Sequence, residues 1–174
     1  FSTTGLPAMD EFLSDEHLTP HGIEDQFTEK VVRLPLGRLA YTPPGLPLVA
    51  QPLEEHARSG TLVCFNRIAK VTPVMLDTWA RILSLVPDHR LLLRNSAIAS
   101  AQVREHIVSA FARHGVSSDR IEFKRYGTYA ETLADYSRAD VALDTYPFGG
   151  CATTCDALWM GVPVITLAGT AAIS

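Results

Sequence analysis

Five short apolar segments alternate with four amphipathic helical patterns after Gly60, and this alternation limits the possible folds more than any other feature. Apolar strands that alternate with helices are typical of a parallel sheet that helices cover on both faces, with right-handed crossovers. The sequence therefore predicts an α/β fold with a Rossmann-like parallel sheet. We predict the strands over residues 61–66, 90–94, 121–123, 141–143 and 164–167.

Capping residues and helix breakers mark the ends of the four helices. Thr72 followed by Pro73 is typical of a helix start, and Thr128 with Glu131 forms a capping-box pattern. We predict helices that start at Pro73, near Ser100, at Thr128 and at Ala152, and that end before Pro87, at Gly115, near Tyr136 and at Gly161.

The stretch from Leu34 to Gly60 contains five prolines and three glycines, a density that disfavours helix interiors and central strands. We interpret it as a connector. Before it, the sequence predicts a short strand over residues 9–13 and a helix from Pro20 to Phe27. We therefore expect residues 1–57 to be the end of one structural unit, and residues 58–174 to form another.

The composition excludes several classes of partner. A net charge of −4 gives no basic surface for nucleic acid, and the longest apolar runs are far shorter than the roughly 20 residues of a membrane span. Three cysteines without zinc-site spacing favour a reducing compartment, so we expect a cytoplasmic protein. Because the sequence starts at Phe1 without a signal-peptide pattern, we expect it to be a piece of a longer polypeptide.

Ligands of open parallel sheets bind beyond the carboxyl ends of the strands, which directs attention to residues 66–70, 124–128 and 144–154. The third loop has the strongest signal, because Gly149 and Gly150 precede a helix start rich in small residues. Free amides and hydroxyls at such a start suit a diphosphate. The alternative interpretation is a glycine-rich turn whose threonines only cap the helix.

Three charged residues add to this pattern. The ammonium group of Lys70 could reach the same sheet edge and neutralise a phosphate, with help from Arg67, although a solvated lysine is the alternative. Asp156 either complements the dipole of its helix or accepts hydrogen bonds from ribose hydroxyls. The spacing leaves both alternatives open.

Four segments of the sequence are long and specific: residues 64–73 (CFNRIAKVTP), 79–83 (WARIL), 141–147 (VALDTYP) and 153–163 (TTCDALWMGVP). They closely resemble the catalytic region of the O-linked N-acetylglucosamine transferases and SPINDLY proteins, which are glycosyltransferases of the two-lobed GT-B class, in their bacterial form. The resemblance covers nearly the whole chain, and Asp15 and Glu29 also match.

The resemblance implies that residues 1–57 are the end of the first catalytic lobe plus the connector, and that residues 58–174 are the nucleotide-sugar-binding lobe. It implies transfer of N-acetylglucosamine from UDP-N-acetylglucosamine to Ser or Thr hydroxyls of proteins, with no cofactor and normally no metal. We expect this activity in the full-length context only, because the first-lobe histidine lies upstream. The alternatives are a SPINDLY-like fucosyltransferase that uses GDP-fucose, and a nucleotide-sugar-binding module without transfer activity.

The resemblance also implies individual roles. Lys70 matches the lysine that stabilises the departing diphosphate, and Asp156 matches an acid that contacts ribose. The chain departs from the family at Arg67, where Asn or Gln is usual, and at Thr132, where His is usual, so the donor nucleotide stays open between UDP and GDP. The candidate site comprises Lys70 as the catalytic residue and, for donor binding, Asn66, Arg67, Gly127, Gly150, Cys151, Ala152, Thr153, Thr154 and Asp156, with no metal ligand.

Overall fold

The computed structural model describes residues 3–43, 45 and 60–169. These residues fall into two compact units. One contains the described residues up to Thr42 together with Ala168 and Gly169, and the other contains those from Pro43 to Leu167. Most of the predicted connector lies outside the described residues.

The smaller unit contains two strands that pair in parallel, β1 (Glu11–Ser14) and β2 (Lys30–Arg33). The first confirms the predicted strand, shifted toward its carboxyl end, whereas β2 was not predicted. The predicted helix from Pro20 to Phe27 is wrong, since only a 3₁₀ turn forms at Glu24–Gln26. Gly22, with a φ of 95°, adopts a left-handed conformation that interrupts the helix within its first residues.

The larger unit contains the predicted parallel sheet, whose strand order is β5-β4-β3-β6-β7. The chain starts in the middle of the sheet, builds outward on one side, crosses back, and completes the other side. The order therefore reverses between β3 and β6, as in doubly wound folds. In chain order the elements are β3 (Thr61–Cys64), α1 (Pro73–Leu85), β4 (Arg90–Arg94), α2 (Ala101–Ala112), β5 (Ile121–Lys124), α3 (Tyr129–Tyr136), β6 (Val141–Leu143), α4 (Ala152–Trp159) and β7 (Val164–Ile165).

Two of the helix starts have the predicted caps. The Thr72 hydroxyl accepts a hydrogen bond from the Met75 amide at 3.3 Å, and Pro73 opens α1. At α3 the Thr128 hydroxyl accepts from the Glu131 amide at 3.2 Å, while the Glu131 carboxylate accepts from the Thr128 amide at 2.6 Å. These bonds satisfy amides that have no partner inside the helix.

The core lies on both faces of the sheet because neighbouring residues of each strand point to opposite faces. Leu62 and Cys64 of β3 pack on the face covered by α1 and α2, whereas Val63 packs on the face covered by α3 and α4. In β4, Leu91 and Leu93 belong to the first cluster and Leu92 to the second. Burial on both faces explains why the strands have continuous apolar sequences.

Two strands are shorter than the sequence predicts. β3 ends at Cys64 rather than Asn66, and β7 covers only Val164–Ile165 rather than residues 164–167. β7 ends where its partner β6 stops, at Leu143. β3 ends level with β6, although its other partner, β4, continues to Arg94. Hydrophobicity continues past these points, so it could not predict where pairing ends. None of the helices within the described residues is long and apolar enough to span a membrane.

Candidate functional site

The loops that follow β3 and β6 leave the carboxyl edge of the sheet on either side of the point where the strand order reverses. Ligands of doubly wound folds bind in the crevice at this point. The loops correspond to residues 66–70 and 144–154, two of the three predicted segments. The position of the candidate site therefore follows from the topology.

A lysine from the first loop contacts the second loop directly. The ammonium group of Lys70 donates a hydrogen bond to the carbonyl oxygen of Gly149 at 2.7 Å and lies 4.1 Å from the centre of the Phe148 ring. Partial burial lowers the pKa of Lys70, and the carboxylate of Asp144 counteracts part of this effect. The structure thus places a cation beside the glycine-rich loop.

Asp144 organises that loop from its first position after β6. One of its carboxylate oxygens, Oδ1, accepts hydrogen bonds from the amides of Thr145 at 2.8 Å and Gly150 at 2.6 Å, and from the Asn66 side chain at 2.8 Å. The amide of Gly150, one of the predicted donor-binding residues, is therefore already engaged. The first amides of the following helix have no intrahelical partner, and they are the donors that suit an anion.

The start of α4 is open in a way that the starts of α1 and α3 are not. Its N-cap, Cys151, is exposed, and the Cys151 side chain makes no hydrogen bond that caps the helix. A Cβ atom at Gly150 would lie 2.4 Å from the Thr154 hydroxyl and 3.0 Å from the Thr153 hydroxyl, so a larger residue would require the Thr154 side chain to shift. Ala152 follows as the first residue of the helix and is exposed.

Asn66 connects the two loops through its side chain. Its amide group donates to Asp144, and its amide oxygen accepts from the Thr153 hydroxyl at 2.8 Å. Its backbone carbonyl accepts a hydrogen bond from the Asn95 side chain at 3.1 Å. A buried polar residue with all of these partners holds the loop after β3 against the start of α4.

Tyrosines hold Asp156 and the start of α4 against α3. Asp156 is buried, and its carboxylate accepts a hydrogen bond from the Tyr129 hydroxyl. The Tyr136 hydroxyl donates to the carbonyl of Thr153 at 3.0 Å, and burial raises the pKa of Tyr136. The carboxylate predicted to contact ribose is thus held near the helix start by a residue that sequence reasoning did not identify.

The remaining predicted residues lie at the margins of this arrangement. Arg67 is exposed at the start of a 3₁₀ turn, and the Thr132 hydroxyl donates to the Thr128 carbonyl within α3. At Gly127, a Cβ atom would lie 2.1 Å from the Glu131 carboxylate, so the glycine allows the capping box to close. The donor-binding roles of these residues stay predictions.

Sequence reasoning missed the tyrosines and the organising role of Asp144. The position of Asp144 was a usable signal, since it directly follows a buried strand beside the point where the strand order reverses. The tyrosine contacts join residues far apart in sequence, and no local pattern marks them. Among the described residues, no group of three His, Cys, Asp or Glu side chains is arranged to hold a metal ion.

Comparison with known proteins adds independent findings. Residues 54–174 match glycosyl transferase family 41. The chain is 36% identical over 172 residues to a protein of Solanum lycopersicum called probable UDP-N-acetylglucosamine–peptide N-acetylglucosaminyltransferase SPINDLY, covering 97% of this chain and 18% of that protein. It is 33% identical to the Arabidopsis thaliana relative called SEC, covering 95% of this chain and 18% of that protein.

The structural comparison agrees with the sequence comparison. A solved structure of an O-GlcNAc transferase mutant, K341M, from Thermobaculum terrenum superposes with a TM-score of 0.86 at 37% sequence identity. The match covers 99% of this chain and 32% of that protein. The chain thus spans about a fifth of the length of the curated relatives and about a third of the solved structure.

Proposed function

Because this chain belongs to glycosyl transferase family 41, we propose that it forms the donor-binding part of an enzyme that transfers N-acetylglucosamine from UDP-N-acetylglucosamine to Ser or Thr hydroxyls of proteins. The fold supports this proposal, since it matches part of an O-GlcNAc transferase over almost the whole chain. The names of the SPINDLY and SEC relatives, which are peptide N-acetylglucosaminyltransferases, support the same donor and acceptor classes.

The observation that carries the proposal is the contact between Lys70 and the loop before α4. A nucleoside diphosphate leaving group gains negative charge as the bond to the sugar breaks. A cation and the first amides of a helix are groups that stabilise such charge, and both meet at the sheet edge where nucleotides bind.

In this proposal each group of the chain has a separate task. The Lys70 ammonium exchanges its hydrogen bond with the Gly149 carbonyl for one with the diphosphate, and the amides of Ala152 and Thr153 donate to the same group. Asp156 accepts from the ribose hydroxyls, which then compete with the Tyr129 hydroxyl. No metal ion is needed to supply the positive charge, because Lys70 supplies it.

The proposal also covers the acceptor and the cellular location of the reaction. The acceptor is a protein or peptide, and the location is cytoplasmic, which free Cys64, Cys151 and Cys155 suit. Tetratricopeptide repeats in the polypeptide that carries this chain would further support a transferase.

Calorimetric titration of the protein that carries this chain with UDP-N-acetylglucosamine, GDP-fucose, UDP and GDP tests the donor. We expect binding of the two uridine nucleotides, and transfer of labelled N-acetylglucosamine to a Ser-containing and Thr-containing peptide library. Preference for GDP-fucose and GDP would replace this proposal by a fucosyltransferase. Binding without transfer to any acceptor would indicate a module that only binds the nucleotide sugar.

A further inference from the structure

The carboxylate of Asp144 accepts hydrogen bonds from the segments that follow three neighbouring strands. Asn66 follows β3, Gly150 belongs to the loop after β6, and Thr166 follows β7. The Thr166 hydroxyl donates to Oδ2 of Asp144 at 2.9 Å, whereas the other donors bind Oδ1. One side chain therefore ties together loops on both sides of the point where the strand order reverses.

We propose that Asp144 is a positioning residue for donor binding, which holds the loop after β6 and Asn66 in the arrangement that presents Lys70 and Thr153 to the diphosphate. This inference rests on the function proposed above. Asp144 is assigned no contact with the donor, since its two oxygens are engaged by groups of the chain itself.

Two chains of hydrogen bonds connect Asp144 to the protein groups that are proposed to bind the diphosphate. In one, Asn66 donates to Asp144 and accepts from the Thr153 hydroxyl at 2.8 Å. In the other, Asp144 fixes Gly150 through its amide at 2.6 Å, and the preceding carbonyl, of Gly149, accepts from Lys70 at 2.7 Å. Lys70 and Thr153, two of the residues proposed to contact the diphosphate, are therefore both connected to one carboxylate.

The negative charge of Asp144 has a second effect, which an uncharged residue of the same shape would not have. Burial lowers the pKa of Lys70, and Asp144 opposes this. Cys151 and Cys64 also act to raise the pKa of Lys70, whereas the positive charge of Arg67 acts to lower it. Asp144 therefore favours the cationic form of Lys70, which the diphosphate requires.

Asp144→Ala in the protein that carries this chain removes the four hydrogen bonds and the charge, whereas Asp144→Asn removes the charge and keeps an oxygen that accepts hydrogen bonds. We expect the kcat of Asp144→Ala to fall about tenfold to a hundredfold, the range that follows misplacement of binding groups by a fraction of an ångström to one ångström. In both variants, the alkaline decrease of UDP affinity should occur at a lower pH than in the parent protein. NMR titration of the Lys70 side chain should show the same shift without any ligand.

Asp140→Asn is the matched control. Asp140 lies at the other end of β6, and its carboxylate accepts a hydrogen bond from the Thr61 amide at 2.8 Å, so it organises backbone far from the candidate site. We expect the kcat of Asp140→Asn to stay within about twofold of the parent value. The alkaline decrease of UDP affinity should occur at the same pH as in the parent protein. Thr166→Val removes one hydrogen bond but keeps the charge of Asp144. This variant should also leave the pH of the alkaline decrease in UDP affinity unchanged.

While the parent binds UDP normally, two outcomes would overturn the inference and leave the proposed function standing: a kcat of folded Asp144→Ala within about twofold of the parent, or an unshifted Lys70 titration in Asp144→Asn. If Asp144→Ala does not fold, Asn66→Ala decides, because it cuts the route to Thr153 and leaves the charge in place. Unchanged kcat and UDP affinity of folded Asn66→Ala would then overturn the inference. Failure of the parent to bind any of the four nucleotides would overturn the proposed function and this inference with it.

Discussion

At the scale of single residues, hydrogen bonds with uncharged groups of the chain hold the charged side chains of the candidate site in place. Lys70 could be selected from the sequence because a lysine after a parallel strand lies at the edge where anions bind. Its contacts with Gly149 and Phe148 could not be predicted, because they depend on the path of a loop 79 residues further along the chain. The same limit applies to Tyr129 and Asp156, which lie on different helices.

The first prediction concerns Lys70→Ala in the protein that carries this chain. We expect kcat to fall by about a hundredfold or more, with a smaller loss of donor affinity, because the leaving group gains most of its charge toward the transition state. Steady-state kinetics combined with calorimetry separate the two effects. Lys30→Ala is the control, since Lys30 lies on the surface 3.2 Å from Glu11. Normal turnover of Lys70→Ala would exclude the assigned role.

The second prediction concerns pH. Lys70 is cationic below its pKa, which burial lowers, so UDP affinity should decrease as the pH rises through a range below that of an ordinary lysine. The phosphate groups of UDP finish ionising near pH 6, so they do not titrate in that range. Lys70→Arg keeps its charge up to a pH above about 12, so the alkaline decrease of UDP affinity should be lost in this variant. The same alkaline decrease in the parent and in Lys70→Arg would show that another group is responsible.

At the scale of secondary-structure elements, the predictions were correct where residues within an element determine where it starts. They were wrong where pairing with another strand determines the bounds of the element. The starts of α1 and α3 were predicted because Thr72 and Thr128 bind amides of their own helices. β2 was missed because only its pairing with β1 makes it a strand, and β7 was predicted too long because β6 ends first. Hydrophobicity indicates burial, whereas the length of a strand depends on its neighbour.

The capping box of α3 gives a third prediction. Thr128→Ala should lower the free energy of unfolding by about 1 kcal/mol, because it removes the hydrogen bond to the Glu131 amide. Thr78→Ala is the matched control, since Thr78 is exposed in the interior of α1, where alanine is at least as favourable. Urea denaturation monitored by circular dichroism measures both. Equal stability of the two variants would mean that the cap contributes nothing.

A buried ion pair that anchors α3 gives a fourth prediction. The Asp135 carboxylate accepts from Arg94 at 3.1 Å and from Lys124 at 2.6 Å, and Arg94 is buried. Asp135→Ala should cost about 3–5 kcal/mol because it leaves a buried guanidinium without its anion. The exposed pair of Lys30 with Glu11 is the comparison, and Lys30→Ala should cost about 1 kcal/mol or less. Similar losses would show that Arg94 reaches solvent when Asp135 is removed.

At the scale of the whole molecule, the fold class and the edge that carries the site could be predicted together. Alternating strands and helices imply a parallel sheet, and a parallel sheet brings the loops after its strands to one edge. The strand order could not be obtained from the same pattern, and it is the order that puts the loops after β3 and β6 side by side. The sequence therefore predicted which loops could carry the site, and the strand order determines which of these loops lie side by side.

The overall charge leads to the last prediction, which concerns ionic strength. The chain has a net charge of −4, so its long-range field repels an anionic nucleotide, while Lys70 attracts it at contact distance. Salt screens the long-range repulsion and the local attraction together, because the Debye length falls from about 20 Å to below 10 Å between roughly 20 and 200 mM salt. The two effects oppose each other, so we expect the UDP dissociation constant to change by less than about threefold over this range.

Calorimetry at the two salt concentrations measures this balance, and Lys70→Ala provides the control. Without the ammonium group the long-range repulsion is opposed only by short-range contacts such as those of the α4 amides, which salt screens little, so the weaker UDP affinity of this variant should stay level or improve as salt is added. A loss of affinity of about tenfold or more in the parent protein would contradict the prediction. It would mean that several basic groups attract the nucleotide, and that the site extends beyond Lys70 and the start of α4.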